Sequence, residues 1–89
     1  MSLVVLDIDG AIDFTCDSPW AAISVVTVGD HPNLSNANRI DVLKLCFADI
    51  PSPIPGYSLF SDEQAEQILK FVDSVWDEIG CLMIHCHQP

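Results

Sequence analysis

The feature that most constrains the fold is residues 21–28, a run of eight mostly apolar residues rich in β-branched side chains. The run is too short to span a bilayer as a helix. It is typical of a strand that is buried on both faces, as strands are in the parallel sheets of α/β proteins. Residues 29–33, Gly-Asp-His-Pro-Asn, follow at once and favour a loop, so we expect the strand to end there.

Three further segments predict strands, and one predicts a helix. Residues 3–6 and 81–84 are short apolar runs, and residues 40–47 alternate apolar and polar side chains. Residues 61–64, Ser-Asp-Glu-Gln, carry a capping-box pattern, so a helix should begin there and extend to about residue 78. Its predicted buried stripe consists of Ala65, Ile68, Leu69, Val72, Val75 and Trp76.

Strands separated by a helix or a long loop indicate an α/β fold with parallel pairs. We therefore predict a small, mostly parallel sheet of about four strands with one main helix. Because parallel sheets usually have helices on both faces, a single helix leaves one face poorly covered, and the sandwich is expected to be incomplete. The C-terminal strand, residues 81–84, is expected to lie in the centre of the sheet.

Composition limits the classes of function. The chain has 89 residues, enough for one small domain, and a net charge of −10, which argues against binding nucleic acid or anionic membranes. No basic segment precedes an apolar stretch at the N-terminus, so we predict no signal peptide. The four cysteines show no dense disulfide spacing, and Cys46 and Cys81 are expected in the core. A reduced, cytoplasmic setting fits best.

Residues 82–86, Leu-Met-Ile-His-Cys, resemble the strand and first residues of the HCxxGxxR[ST] loop of cysteine-dependent protein tyrosine and dual-specificity phosphatases. Residues 43–50 are similar to the segment that carries the general acid in compact members of that family. The resemblance covers roughly residues 20–89, and it identifies residues 1–89 as a single partial phosphatase-like domain that stops within the loop.

The resemblance implies a role for three residues. Cys86 would be the nucleophile that forms a thiophosphate intermediate, His85 would support the loop by hydrogen bonding, and Asp49 would be the general acid. The implied substrate is a phosphorylated protein or a small phosphomonoester, with no cofactor. We also expect no metal ion, because the consecutive side chains of residues 85–87 cannot easily converge on one ion.

The sequence departs from the family pattern where the phosphate would bind. Pro89 occupies the position of the glycine, and proline has no amide hydrogen and cannot adopt a positive φ. The arginine that would grip the phosphate is not among these residues, since Arg39 is the only arginine and lies far away in sequence. We therefore expect this chain to hydrolyse phosphoesters poorly, if at all.

Two alternatives stay open. The chain could be a catalytically dead, phosphatase-like interaction module that binds a partner through its open sheet face. Residues 4–10, an apolar strand followed by Asp-Ile-Asp-Gly, also resemble the first motif of haloacid-dehalogenase-type phosphatases, in which Asp7 and Asp9 would work beside magnesium. Apolar surface left open on the sheet and on the helix further predicts a homo-oligomer.

Overall fold

The computed structural model describes residues 1–48, 54–56 and 58–86. In chain order the elements are β1 (Ser2–Leu6), α1 (Ile8–Ile12), β2 (Trp20–Val26), β3 (Arg39–Cys46), α2 (Asp62–Val75) and β4 (Cys81–His85). The predicted small α/β fold is confirmed, and the four strands begin and end within two residues of the predicted runs.

The strands form one sheet in the order β1-β4-β2-β3, and each neighbouring pair is parallel. β4 is last in sequence but lies between β1 and β2, as predicted for the C-terminal strand. Because all the strands run in one direction, their carboxyl ends share one edge of the sheet. In open parallel sheets, ligands bind in the crevice outside that edge.

Helix α2 begins where the capping box predicts. The hydroxyl of Ser61 accepts a hydrogen bond from the backbone N–H of Gln64 at 3.2 Å, and the Gln64 side chain accepts from the Ser61 N–H at 3.1 Å. Two buried side chains of the helix, Phe71 and Val75, pack on the sheet.

The predicted stripe of α2 is partly wrong, because Leu69 is 70 % exposed and Trp76 is 52 % exposed. The helix is rotated so that Ile68, Phe71 and Val75 face the sheet. These three residues also have the three- and four-residue spacing of a helix face, so spacing alone could not choose between the two stripes.

Residues 7–10, Asp-Ile-Asp-Gly, have a sequence typical of a turn but are the start of a short helix, α1. Asp7 is its N-cap and accepts a hydrogen bond from the backbone N–H of Gly10 at 2.8 Å. Ala11, fully buried, packs on the sheet face opposite α2. The expectation of a poorly covered second face is therefore wrong over its centre, where α1, Phe14 and Leu34 pack against it.

Successive residues of a strand point to opposite faces, so each strand contributes side chains to two hydrophobic cores, one on each face of the sheet. On the α2 face, Ala21 and Ile23 of β2 pack with Leu82 of β4 beneath the helix. On the α1 face, Trp20 and Ala22 of β2 pack with Cys81 and Met83 of β4. The next residue of β2 on the α1 face, toward the carboxyl edge, is Ser24.

The cysteines are only partly as predicted. Cys81 is buried in the α1-face core, as expected, and burial raises the pKa of its thiol, with the Cys16 thiol beside it adding to the effect. Cys46 is exposed, and its thiol donates to the Thr27 carbonyl at 3.5 Å; the expectation of a core position is wrong because β3 is an edge strand. Within the described residues, no helix has the length and apolar character needed to cross a membrane.

Candidate functional site

A row of polar side chains crosses the sheet near its carboxyl edge. Ser24 of β2 is paired in register with His85 of β4 on one side and with Lys44 of β3 on the other. Paired residues of parallel strands point to the same face, so all three lie on the α1 face. We call His85, Ser24 and Lys44 the polar row. The row below it, toward the amino ends of the strands, is apolar and contains Met83, Ala22 and Val42.

The centre of the polar row is a buried hydrogen-bond network. The Ser24 hydroxyl lies 2.6 Å from Nε2 of His85 and 2.8 Å from Nδ1 of His31, which belongs to the loop after β2. Ser24 is 1 % exposed and His85 is 0 % exposed. Buried polar side chains need partners, and every buried side-chain nitrogen or oxygen in the described part of the chain has one.

The partners assign a direction to the hydrogen bonds. Nδ1 of His85 lies 3.2 Å from the carbonyl oxygen of Cys86, which can only accept, so Nδ1 carries the hydrogen. With His85 neutral, Nε2 then accepts from the Ser24 hydroxyl. The Ser24 oxygen in turn accepts from Nδ1–H of His31. The three hydrogen bonds therefore form a chain in which His31 donates to Ser24, Ser24 donates to His85, and His85 donates to the backbone carbonyl of Cys86.

The charge on His31 depends on its surroundings. Burial lowers the pKa of His31 below its usual value, and electrostatic interactions with Lys44 and His85 lower it further, while the Asp30 carboxylate acts in the opposite direction. A lowered pKa favours the neutral imidazole. In the neutral form with hydrogen on Nδ1, the other ring nitrogen of His31 is an acceptor.

Two of the three residues predicted from the phosphatase resemblance lie together at this edge. His85 ends β4, and Cys86 follows it as an exposed residue. Asp49, the predicted general acid, lies outside the described residues, as does Pro89. The His85 ring donates to the Cys86 carbonyl, and the supporting role of this histidine in a phosphatase loop stays a prediction.

Sequence reasoning did not identify Ser24, His31 or Lys44 as site residues. One signal was present, because Ser24 is a hydroxyl inside an otherwise apolar strand and such a group requires a partner. The partner itself was not predictable from local pattern, since Ser24 and His85 are 61 residues apart in the chain.

Ser24 is placed to orient groups rather than to react with a substrate. Its side chain is buried and its oxygen is engaged by two histidines. A nucleophile must reach a substrate atom in the open site, and Cys86 is the exposed nucleophile-type side chain next to this network.

The aspartate-dependent alternative stays an untested prediction. The side chain of Asp7 caps α1, which gives an ordinary structural reason for an aspartate three residues before Gly10. Across residues 1–48, 54–56 and 58–86, no three His, Cys, Asp or Glu side chains come together in a group that could hold a metal ion.

The chain was compared with known proteins by sequence and by structure. No family model, no curated protein and no solved structure matches it.

Proposed function

We propose that this chain is the nucleophile-bearing portion of a cysteine-dependent phosphatase domain that acts on a phosphorylated protein or a small phosphomonoester. Cys86 is the nucleophile and His85 positions it. Asp49 is the general acid on this proposal. Residues 1–89 do not by themselves hold a complete site.

The observation that carries the proposal is the position of β4. The central strand of a parallel sheet brings His85 and Cys86 to the carboxyl edge, and the His85 ring is fixed between the Ser24 hydroxyl and the Cys86 carbonyl. A cysteine nucleophile must be held in a fixed position. This requires a rigid strand immediately before it and hydrogen bonds that fix the backbone around it. Both features support the proposal.

A reducing compartment, here the cytoplasm, is part of the same proposal, because the thiolate is the reactive form of cysteine and oxidation removes it. The spacing of the four cysteines shows no dense disulfide pattern, and this supports a setting that keeps thiols reduced.

Catalysis by residues 1–89 is expected to be weak for an electrostatic reason. Charge developing on the phosphoryl oxygens needs fixed donors, and this is usually the largest contribution to catalysis. The one arginine, Arg39, is the first residue of β3 and so lies at the amino edge of the sheet, whereas Cys86 follows the carboxyl end of β4. We expect no turnover of p-nitrophenyl phosphate by this chain above that of its Cys86→Ser variant. Turnover that is lost in Cys86→Ser would contradict the claim that the site is incomplete.

A second function, self-association or docking through the sheet, is favoured by the edge strand β1. Leu3 and Val5 of β1 point to the α2 face, yet α2 leaves Val5 71 % exposed. An edge strand also has backbone groups available for pairing with another chain. A second copy can therefore add its own β1 beside this one, which pairs the backbone groups of both edge strands and brings their exposed apolar side chains next to each other.

Self-association through β1 predicts a specific sensitivity to charge. A lysine on an edge strand blocks strand pairing between chains, so Val5→Lys should convert a dimer or larger assembly to monomer. Val28→Lys is the matched control, since Val28 is also exposed but lies in the loop after β2. Multi-angle light scattering measures the mass. A monomeric parent chain at high concentration, or equal dissociation by both variants, would rule out pairing through β1.

A further inference from the structure

A cleft separate from Cys86 opens on the α1 face, between β3 and the loop that follows β2. Its volume is about 150 Å³. Its lining residues are Ser24, Pro32, Asn33, Leu34, Arg39, Val42 and Lys44. We call it the β3 cleft. Its walls combine apolar side chains with an amide, a hydroxyl and two cations, and Cys86 is not among them.

The cleft concentrates the positive charge of the molecule. The chain has only three lysines and arginines against 13 acidic residues, and two of the three cations, Arg39 and Lys44, line this one cleft. The third, Lys70, lies on α2, which packs on the opposite sheet face.

Arg39 is held in place at the cleft. One guanidinium nitrogen, Nη1, donates to the carbonyl oxygens of Leu34 at 2.9 Å and Ser35 at 3.0 Å. These bonds attach the loop to the start of β3 and fix the position of the charge. Arginine has five N–H donors, and the two bonds engage Nη1 alone. The donors on Nε and Nη2 are the ones that a ligand in the cleft would use.

Lys44 also interacts with the loop that lines the cleft. His31 lies in that loop, and burial lowers its pKa, with nearby Lys44 and His85 lowering it further and the Asp30 carboxylate raising it. Exposed carboxylates farther away than a Debye length of about 8 Å are largely screened at physiological salt.

The size of the cleft limits what it can hold. A volume of about 150 Å³ corresponds to roughly five water molecules at their liquid volume of about 30 Å³ each. An anion with about five non-hydrogen atoms, such as phosphate or sulfate, fits that space. Larger ligands would extend out of the open side of the cleft.

We propose that the β3 cleft binds a small tetrahedral oxyanion, with Lys44 and Arg39 as its charged partners and the Asn33 amide as a neutral donor. This inference does not rest on the proposed phosphatase function. It places an anion between β3 and the loop after β2, whereas the phosphatase proposal places chemistry at Cys86.

The test is a titration of the protein with sodium phosphate, and separately with sodium sulfate, in a chloride buffer of constant ionic strength. Amide chemical shifts of Asn33 and Val42 report on the cleft. Losing one charge-assisted hydrogen bond costs about 1.5 kcal/mol, so Lys44→Gln should weaken binding about tenfold. Lys70→Gln removes the same charge elsewhere and should leave the affinity unchanged, as should Cys86→Ser. Bound anion should also raise the pKa of His31.

The outcomes separate the two proposals. Saturable shifts that weaken in Lys44→Gln, but not in Lys70→Gln or Cys86→Ser, support the cleft. Shifts that are linear in anion concentration, or equal weakening in both lysine variants, overturn it. Binding that depends on Cys86 and not on Lys44 also overturns it, while supporting an anion site at the cysteine. If Lys44→Gln were misfolded, Lys44→Arg, which keeps the charge, should retain binding within a factor of about three.

Discussion

Replacing Trp20 with alanine is expected to lower the free energy of unfolding by about 3–5 kcal/mol. Trp20 has no exposed surface, and its ring packs edge-on against Phe14 with centroids 4.9 Å apart. Its indole N–H donates to the carbonyl of Ala37 at 2.8 Å, which joins β2 to the loop that carries the β3 cleft. Removing the ring leaves a cavity in the α1-face core, and it also removes that link.

Trp76→Ala is the matched control, because Trp76 is the only other tryptophan and is 52 % exposed. Substitutions at such positions usually change stability by about 0.5 kcal/mol or less. Urea unfolding followed by far-ultraviolet circular dichroism measures both without relying on tryptophan fluorescence. If Trp20→Ala is already unfolded, Trp20→Phe keeps most of the packing and should lose about 1–2 kcal/mol. Equal losses at the two tryptophans would contradict the described core.

The second large effect is expected at His85. His85→Ala removes a fully buried side chain and its hydrogen bonds to Ser24 and Cys86, so it should cost about 2–4 kcal/mol. Ser24→Ala should cost about 1–2 kcal/mol, because it leaves Nε2 of His85 without its donor. In the double variant the two losses should overlap by about 1 kcal/mol, since both remove the same bond.

Two further measurements distinguish the network from ordinary packing. Nitrogen chemical shifts of the His85 ring should show the hydrogen on Nδ1 when the ring is neutral, and Ser24→Ala should weaken that preference. His31→Ala, at a half-buried loop position, should cost less than His85→Ala. Fully additive losses for Ser24→Ala and His85→Ala, or a hydrogen on Nε2 of His85, would show that the assigned direction of donation is wrong.

The elements were predictable because their signals are local. The apolar run at residues 21–28 predicted β2, and the capping box at Ser61 predicted the start of α2. The side of α2 that packs on the sheet was not predictable, because two apolar stripes share the same helical spacing. Helix α1, Ile8–Ile12, was missed because it has only five residues and residues 7–10 at its start look like a turn in sequence.

In the candidate site, too, some residues were predictable from sequence and others were not. His85 and Cys86 are adjacent in sequence, so a motif of neighbouring residues pointed to them. The polar row depends on the strand order and register that bring Ser24 beside both His85 and Lys44. Strand order is a property of the whole chain, and it brings together residues that no local pattern relates. The same reason explains why the cations of the β3 cleft were not predicted as a pair.

We propose that Cys86 stands in the nucleophile position of a phosphatase-type site whose phosphate-binding arginine is not among residues 1–89. The most direct test is p-nitrophenyl phosphate turnover, measured in parallel for this chain and for any longer polypeptide that its gene encodes. We expect no turnover by this chain, and turnover that Cys86→Ser abolishes in a longer polypeptide that carries an arginine in the loop after Cys86. Turnover by this chain, or turnover by a longer polypeptide that survives Cys86→Ser, would contradict the proposal.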